Sequence, residues 1–127
     1  GGALSRIMLA IQTVLSAHDD LDTMIFDEVD TGISGSAAQK VGLKLHEVSR
    51  YAQVICITHL AQIACLADYH LLIQKQVTEN KTYTQVIPLS KEAQIKEIAR
   101  MIGGQAITPL LLQNAQEMID SAKQLKS

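Results

Sequence analysis

At 127 residues, 47% hydrophobic and 19% charged, the chain has the size and composition of one soluble globular domain with a substantial core. One Phe, three Tyr and no Trp make that core aliphatic, and a net charge of −2 gives no electrostatic footprint for nucleic acid, leaving any DNA contact to another part of a longer protein. No apolar run approaches the roughly 20 residues of a membrane span, no signal peptide is visible, and Cys56 and Cys65 lack metal-ligand spacing and fit a reducing cytoplasm.

The chain opens on Gly1-Gly2 without a Met, which reads as a fragment of something longer. Leu4, Ile7, Met8, Ile11, Val14 and Leu15 then recur at helical spacing and predict a helix over about 3–17. A short apolar run, Asp22 to Phe26, predicts a buried strand, followed by the loop Asp27-Glu28-Val29-Asp30-Thr31-Gly32-Ile33-Ser34-Gly35. Ser36 with Gln39 three residues on reads as a capping box, and Ala38, Val41, Leu45 and Val48 give the buried stripe of the helix it opens. Gln53 to Thr58 is a second buried strand, with Cys56 packed inside it and His59 directly after it. A short helix is expected over 60–66. Tyr69 to Val77 and Thr82 to Pro88 follow as a hairpin joined by Thr78-Glu79-Asn80-Lys81. Ser90 caps a helix with apolar face Ile95, Ile98, Ala99 and Ile102, ended by Gly103-Gly104. Its charged residues between Lys91 and Arg100 read as a solvated face. Thr108-Pro109 opens the last helix, which carries Leu111, Leu112, Ala115, Ile119 and Ala122. The alternation of helix and strand over 3–58 predicts an α/β fold with a partly parallel sheet.

Three features fall into one chemical pattern. A strand that ends in Asp27-Glu28 puts two carboxylates at the carboxyl edge of a sheet, where open α/β folds bind ligands. Asp27 suits a Mg²⁺ shell and Glu28 suits polarising an attacking water, although the pair alone is equally an acidic turn. Gly1-Gly2 before a helix start leaves backbone N–H groups free to meet a phosphate. His59, at the tip of the second strand, could hydrogen-bond a γ-phosphate, or simply be satisfied by the adjacent helix start. His18, His46 and His70 have no such setting and read as surface or partly buried residues.

These segments resemble an ABC-type ATPase. Gly1-Gly2-Ala3-Leu4-Ser5-Arg6 resembles the signature motif and Met24-Ile25-Phe26-Asp27-Glu28 the Walker B motif. Val29 to Gly35 stands at the D-loop position and His59 at that of the switch histidine. Phe26 to Gly35, Ile57-Thr58-His59-Leu60-Ala61-Gln62-Ile63-Ala64 and Glu97-Ile98-Ala99-Arg100-Met101-Ile102-Gly103-Gly104 narrow the resemblance to the RecN family of DNA-repair ATPases, relatives of SMC proteins. It implies one partial domain over 1–127. This would be the C-terminal lobe of an ABC-type P-loop ATPase head, a partly parallel sheet flanked by helices, with a C-terminal hairpin and two helices.

The resemblance also implies roles. Glu28 would be the catalytic base and His59 the γ-phosphate sensor. Asp27 would hold Mg²⁺. Gly1, Gly2 and Ser5 would meet ATP held by a second, identical head, and Thr31, Gly32 and Ser34 would lie at the head–head interface. The whole protein would be a cytoplasmic, nucleoid-associated bacterial ATPase acting on DNA in double-strand break repair and recombination, with no membrane partner. The chain departs from the family in lacking Ser before the Gly pair, in having Ala3 where Glu is usual, and in having Ser34 where the wider superfamily has Asp. It has no Gly-x-x-x-x-Gly-Lys-Ser/Thr and no long heptad segment. The Walker A lobe and coiled coil would therefore lie elsewhere, and the 127 residues alone would be inactive. Two other readings fit the same residues: a different SMC- or RecF-like ATPase, and a non-catalytic dimerisation or regulatory module.

Overall fold

The computed structural model describes Leu9, Ile11 and residues 23–27, 32–104 and 106–127. Strand β1 spans Thr23–Asp27, helix α1 Gly35–Val48, β2 Gln53–Ile57, and the short α2 Ala61–Ala64. Strands β3 (Leu71–Thr78) and β4 (Lys81–Pro88) follow, then α3 (Lys91–Gly103) and α4 (Pro109–Lys126). β1 and β2 pair in parallel with Asp27 opposite Ile57, joined by α1 as crossover, while β3 and β4 form a separate antiparallel pair. The architecture is the mixed α/β one expected: a small parallel sheet, a hairpin and two closing helices. The helix expected over 3–17 lies outside the described residues except at Leu9 and Ile11, both helical. Ile11, on the predicted apolar face, is fully buried, and Leu9, off that face, is exposed.

Two apolar clusters hold these elements. In one, the α1 stripe of Ala38, Val41, Leu45 and Val48 packs with Ile11 and Ile63 over Met24, Phe26, Val54 and Cys56 of the strands. In the other, Ile98 and Ala99 of α3 meet Ala115, Ile119 and Ala122 of α4 above Ala64, Cys65 and Leu66. Alanines at the contact let helix axes approach closely, which suits an aliphatic core without bulky aromatics. The caps follow the sequence: Ser90 Oγ accepts from the Ala93 N–H at 3.2 Å and Thr108 Oγ1 from the Leu111 N–H at 3.2 Å. Helix α3 ends as expected, with Gly104 donating to the Arg100 carbonyl at 2.7 Å.

Several expectations need correcting. The strands are not buried on both faces: Met24, Phe26, Val54 and Cys56 point toward α1, while Ile25, Ile55 and Ile57 on the other face are exposed. A period of two sends alternate residues to opposite faces, and the described elements cover only one of them. Cys56 is accordingly half-buried, and the fully packed cysteine is Cys65, whose thiol burial pushes up in pKa. Helix α1 begins at Gly35, so Ser36 lies inside it and the expected capping box does not form; Ser34 holds the N-cap position without a side-chain cap bond. The hairpin turn is tighter than expected, with Glu79 (φ 49°) and Asn80 (φ 66°) both left-handed between paired Thr78 and Lys81. That is the geometry of a two-residue type I′ turn, which matches strand twist. Among the charges of α3, Glu97 is buried and ion-pairs with Arg100, so the face is not wholly solvated. Arg100 is held above its usual range, first by that hydrogen bond.

Candidate functional site

The parallel pairing brings two of the predicted residues to one edge. Asp27 is the last residue of β1 and lies exposed in register with Ile57, the last residue of β2. His59 follows two positions later, also exposed. Thr58 shapes that exit: its Oγ1 accepts from the Leu60 N–H at 3.0 Å, turning the chain from the strand into α2. Asp27 and His59 therefore leave adjacent parallel strands at their carboxyl ends, the position where α/β sheets present ligand-binding groups.

Gly32 and Ser34 precede α1. Gly32 adopts φ +77°, a left-handed conformation natural to glycine and costly for a residue with Cβ. Ser34 is exposed, and its carbonyl accepts from the Ala38 N–H at 2.8 Å to start the helix. Ile33 between them turns inward onto the α1 cluster, and so does Leu60 beside His59. Gly1, Gly2, Ser5, Glu28 and Thr31 lie outside the described residues.

As a candidate cation site, this edge offers the exposed carboxylate of Asp27. Among the described residues no three of His, Cys, Asp or Glu converge to form an all-protein metal cage. That donor set fits Mg²⁺, which takes one or two carboxylates and fills its shell with water and phosphate oxygens. It does not fit a structural zinc site.

No family model matches the chain. Curated relatives do. DNA repair protein RecN of Bacillus subtilis is 49% identical over 127 residues, all of this chain and 22% of that protein. The protein of the same name from Haemophilus influenzae is 48% identical over 120 residues, 94% of this chain and 22% of its own length. That of Streptomyces coelicolor is 39% identical over 123 residues, 97% of this chain. The chain is RecN-like along its whole length. It spans about a fifth of the RecN proteins it matches.

A solved chain from work on ATP-driven dimerisation and DNA-stimulated activation of SMC ATPases superposes with a TM-score of 0.60 at 22% identity. It covers 82% of this chain and 61% of its own. That likeness gives this chain a fold shared with part of that SMC ATPase chain, in keeping with the α/β lobe read from the sequence.

Sequence reasoning missed the residues that hold the site segments in place. Ile33 read as an ordinary loop residue and Leu60 as the start of a short helix, although each is a lone aliphatic side chain beside polar or small neighbours, a pattern that marks an anchor. Gln62 figured only as one residue of the run Ile57 to Ala64, with no role attached. Its Nε2 stands 3.5 Å from where a Cβ on Gly35 would be.

Proposed function

We propose that this chain is the C-terminal lobe of a RecN ATPase head, a partial domain of a DNA-repair protein that binds and hydrolyses ATP between two identical heads. One observation carries the reading: Asp27 and His59 share the carboxyl edge of the β1–β2 parallel pair, in a chain up to 49% identical to DNA repair protein RecN. Identity of 39–49% to RecN against 22% to the SMC ATPase chain favours RecN over other members of the superfamily.

In this reading the chain's residues divide the work. Asp27 offers a carboxylate oxygen to Mg²⁺, and the metal would neutralise charge on the phosphates when bound. Glu28 orients the attacking water and takes up its proton. His59 donates a hydrogen bond toward the γ-phosphate from the neighbouring strand end. Gly1, Gly2 and Ser5 present helix-start N–H groups to the nucleotide of the opposite head. Thr31, Gly32 and Ser34 line the contact between heads.

The phosphate cradle comes from an N-terminal lobe elsewhere in the protein, because the 127 residues contain no Gly-x-x-x-x-Gly-Lys-Ser/Thr. That lobe also covers the exposed Ile25, Ile55 and Ile57 face. DNA contact in double-strand break repair belongs to the complete protein, as do its cytoplasmic, nucleoid-associated location and its coiled coil. Among the described residues no helix is long and apolar enough to cross a membrane.

In the complete protein, Glu28→Gln is expected to retain ATP binding and to lower kcat by at least about 100-fold, the scale of losing a positioned base. Nucleotide binding and single-turnover hydrolysis measure the two effects separately. Turnover at the wild-type rate would remove Glu28 from the role of base and leave the non-catalytic module standing.

A further inference from the structure

We propose that Gln62 is a positioning residue for this ATPase. It holds the 32–35 loop against the segment that carries His59, so that the two move as one unit. The inference deepens the ATPase reading above and depends on it.

The two segments come from different parts of the chain and meet at their helix starts. Gly35 is the first residue of α1, and Gln62 is the second of α2. A Cβ on Gly35 would stand 3.5 Å from Gln62 Nε2 and 4.0 Å from Gln62 Cδ, so the carboxamide borders the space that a side chain at Gly35 would fill. Below this contact, Ile33 of the one segment and Leu60 of the other pack into the same apolar cluster, which includes Ile63 and Ala38. The segments thus share one set of aliphatic anchors, and the Gln62 carboxamide stands beside the start of α1.

Helix α2 cannot fix its own orientation. It is four residues long and its N-cap residue, Leu60, makes no side-chain cap bond. A helix that short has little intrinsic stability and takes its direction from what it packs on. His59 stands immediately before it, so the placement of the imidazole depends on the packing of α2. The Gln62 side chain is long enough to reach Gly35. It carries no charge, so it adds no repulsion close to where an anionic phosphate is expected.

A misplacement of a reacting group by about 1 Å can cost up to about 100-fold in rate. The test uses the complete RecN protein that contains this chain. Gln62→Ala is expected to lower kcat about tenfold while KM for ATP stays within about twofold, because binding contacts are left in place. Gln62→Met restores the shape without the amide and is expected to bring kcat back to within about threefold of wild type. Ile98→Ala, between α3 and α4, serves as the folding control: it lowers Tm and leaves kcat of the folded enzyme unchanged.

Wild-type kcat in Gln62→Ala, beside a Glu28→Gln protein that stalls, would overturn the positioning role and spare the ATPase reading. So would a Gln62→Ala protein whose lost kcat tracks a fall in Tm as large as that of Ile98→Ala. Glu28→Gln turning over normally would overturn both.

Discussion

Ile98 on α3 and Ile25 on β1 are the same side chain in opposite surroundings. Ile98 is 0% exposed between α3 and α4, whereas Ile25 is 66% exposed on the outer face of the β1–β2 pair. The helical half closes its core from its own residues, with α3 and α4 meeting through Ile98, Ala99, Ala115, Ile119 and Ala122. The strand half leaves Ile25, Ile55 and Ile57 open, although Val- and Ile-rich parallel strands are normally covered on both faces. The Asp27 and His59 edge belongs to this second half. The candidate site residues therefore sit in the half whose outer face is exposed, and the helices form the closed half beside it.

Mutation of the two isoleucines tests this contrast most strongly at Ile98. Ile98→Ala removes a fully buried side chain from the helical core and is expected to cost about 2–5 kcal/mol in the 127-residue chain, read as a large drop in the denaturation midpoint. A change below about 1 kcal/mol would mean that the helical half is not the self-sufficient one.

A smaller, pH-dependent effect is expected at His70. Burial lowers its pKa from 6.5, and the nearby Glu97 opposes that shift. Its Nδ1 is buried and has no hydrogen-bond partner among the described residues. The folded state therefore favours neutral imidazole, and the unfolded chain binds the proton more readily. Stability from this group is fully present above pH 6.5 and declines as pH falls below it, until the folded imidazole also protonates. Thermal melts between pH 7.5 and 5.5 should show the decline, and His70→Asn should flatten it. An unchanged pH slope in that variant would assign the decline to other groups.

The smallest effect is expected at Ile25. In the isolated chain Ile25→Thr should alter stability by no more than about 0.5 kcal/mol, the range of surface substitutions. In the complete protein the same change should cost more, because the proposed N-terminal lobe covers that face. Equal costs in both would count against that cover.

Much of this was legible in the residues. The Ser90 and Thr108-Pro109 caps, the Gly103-Gly104 stop and the stripe of α1 are local signals, set by backbone hydrogen bonds and a 3.6-residue period. Asp27 and His59 were legible because each stands at or just past the end of a short apolar run. The exposure of Ile25 was not, since an apolar run reads the same whether one face or both are covered. The burial of Glu97 was hidden too, because its pairing with Arg100 depends on how α3 seats against its neighbours.

The order of helices and strands, the candidate residues Asp27 and His59, and the likeness to RecN were all readable from local pattern, because each rests on near neighbours in the chain. The expected parallel pairing acquired its register, with Asp27 opposite Ile57 and His59 at the same edge, only in the folded chain, as did the place of Gln62 beside the start of α1. The tertiary structure also decided that one strand face is left open. Those outcomes depend on contacts between segments far apart in sequence, which local pattern does not encode.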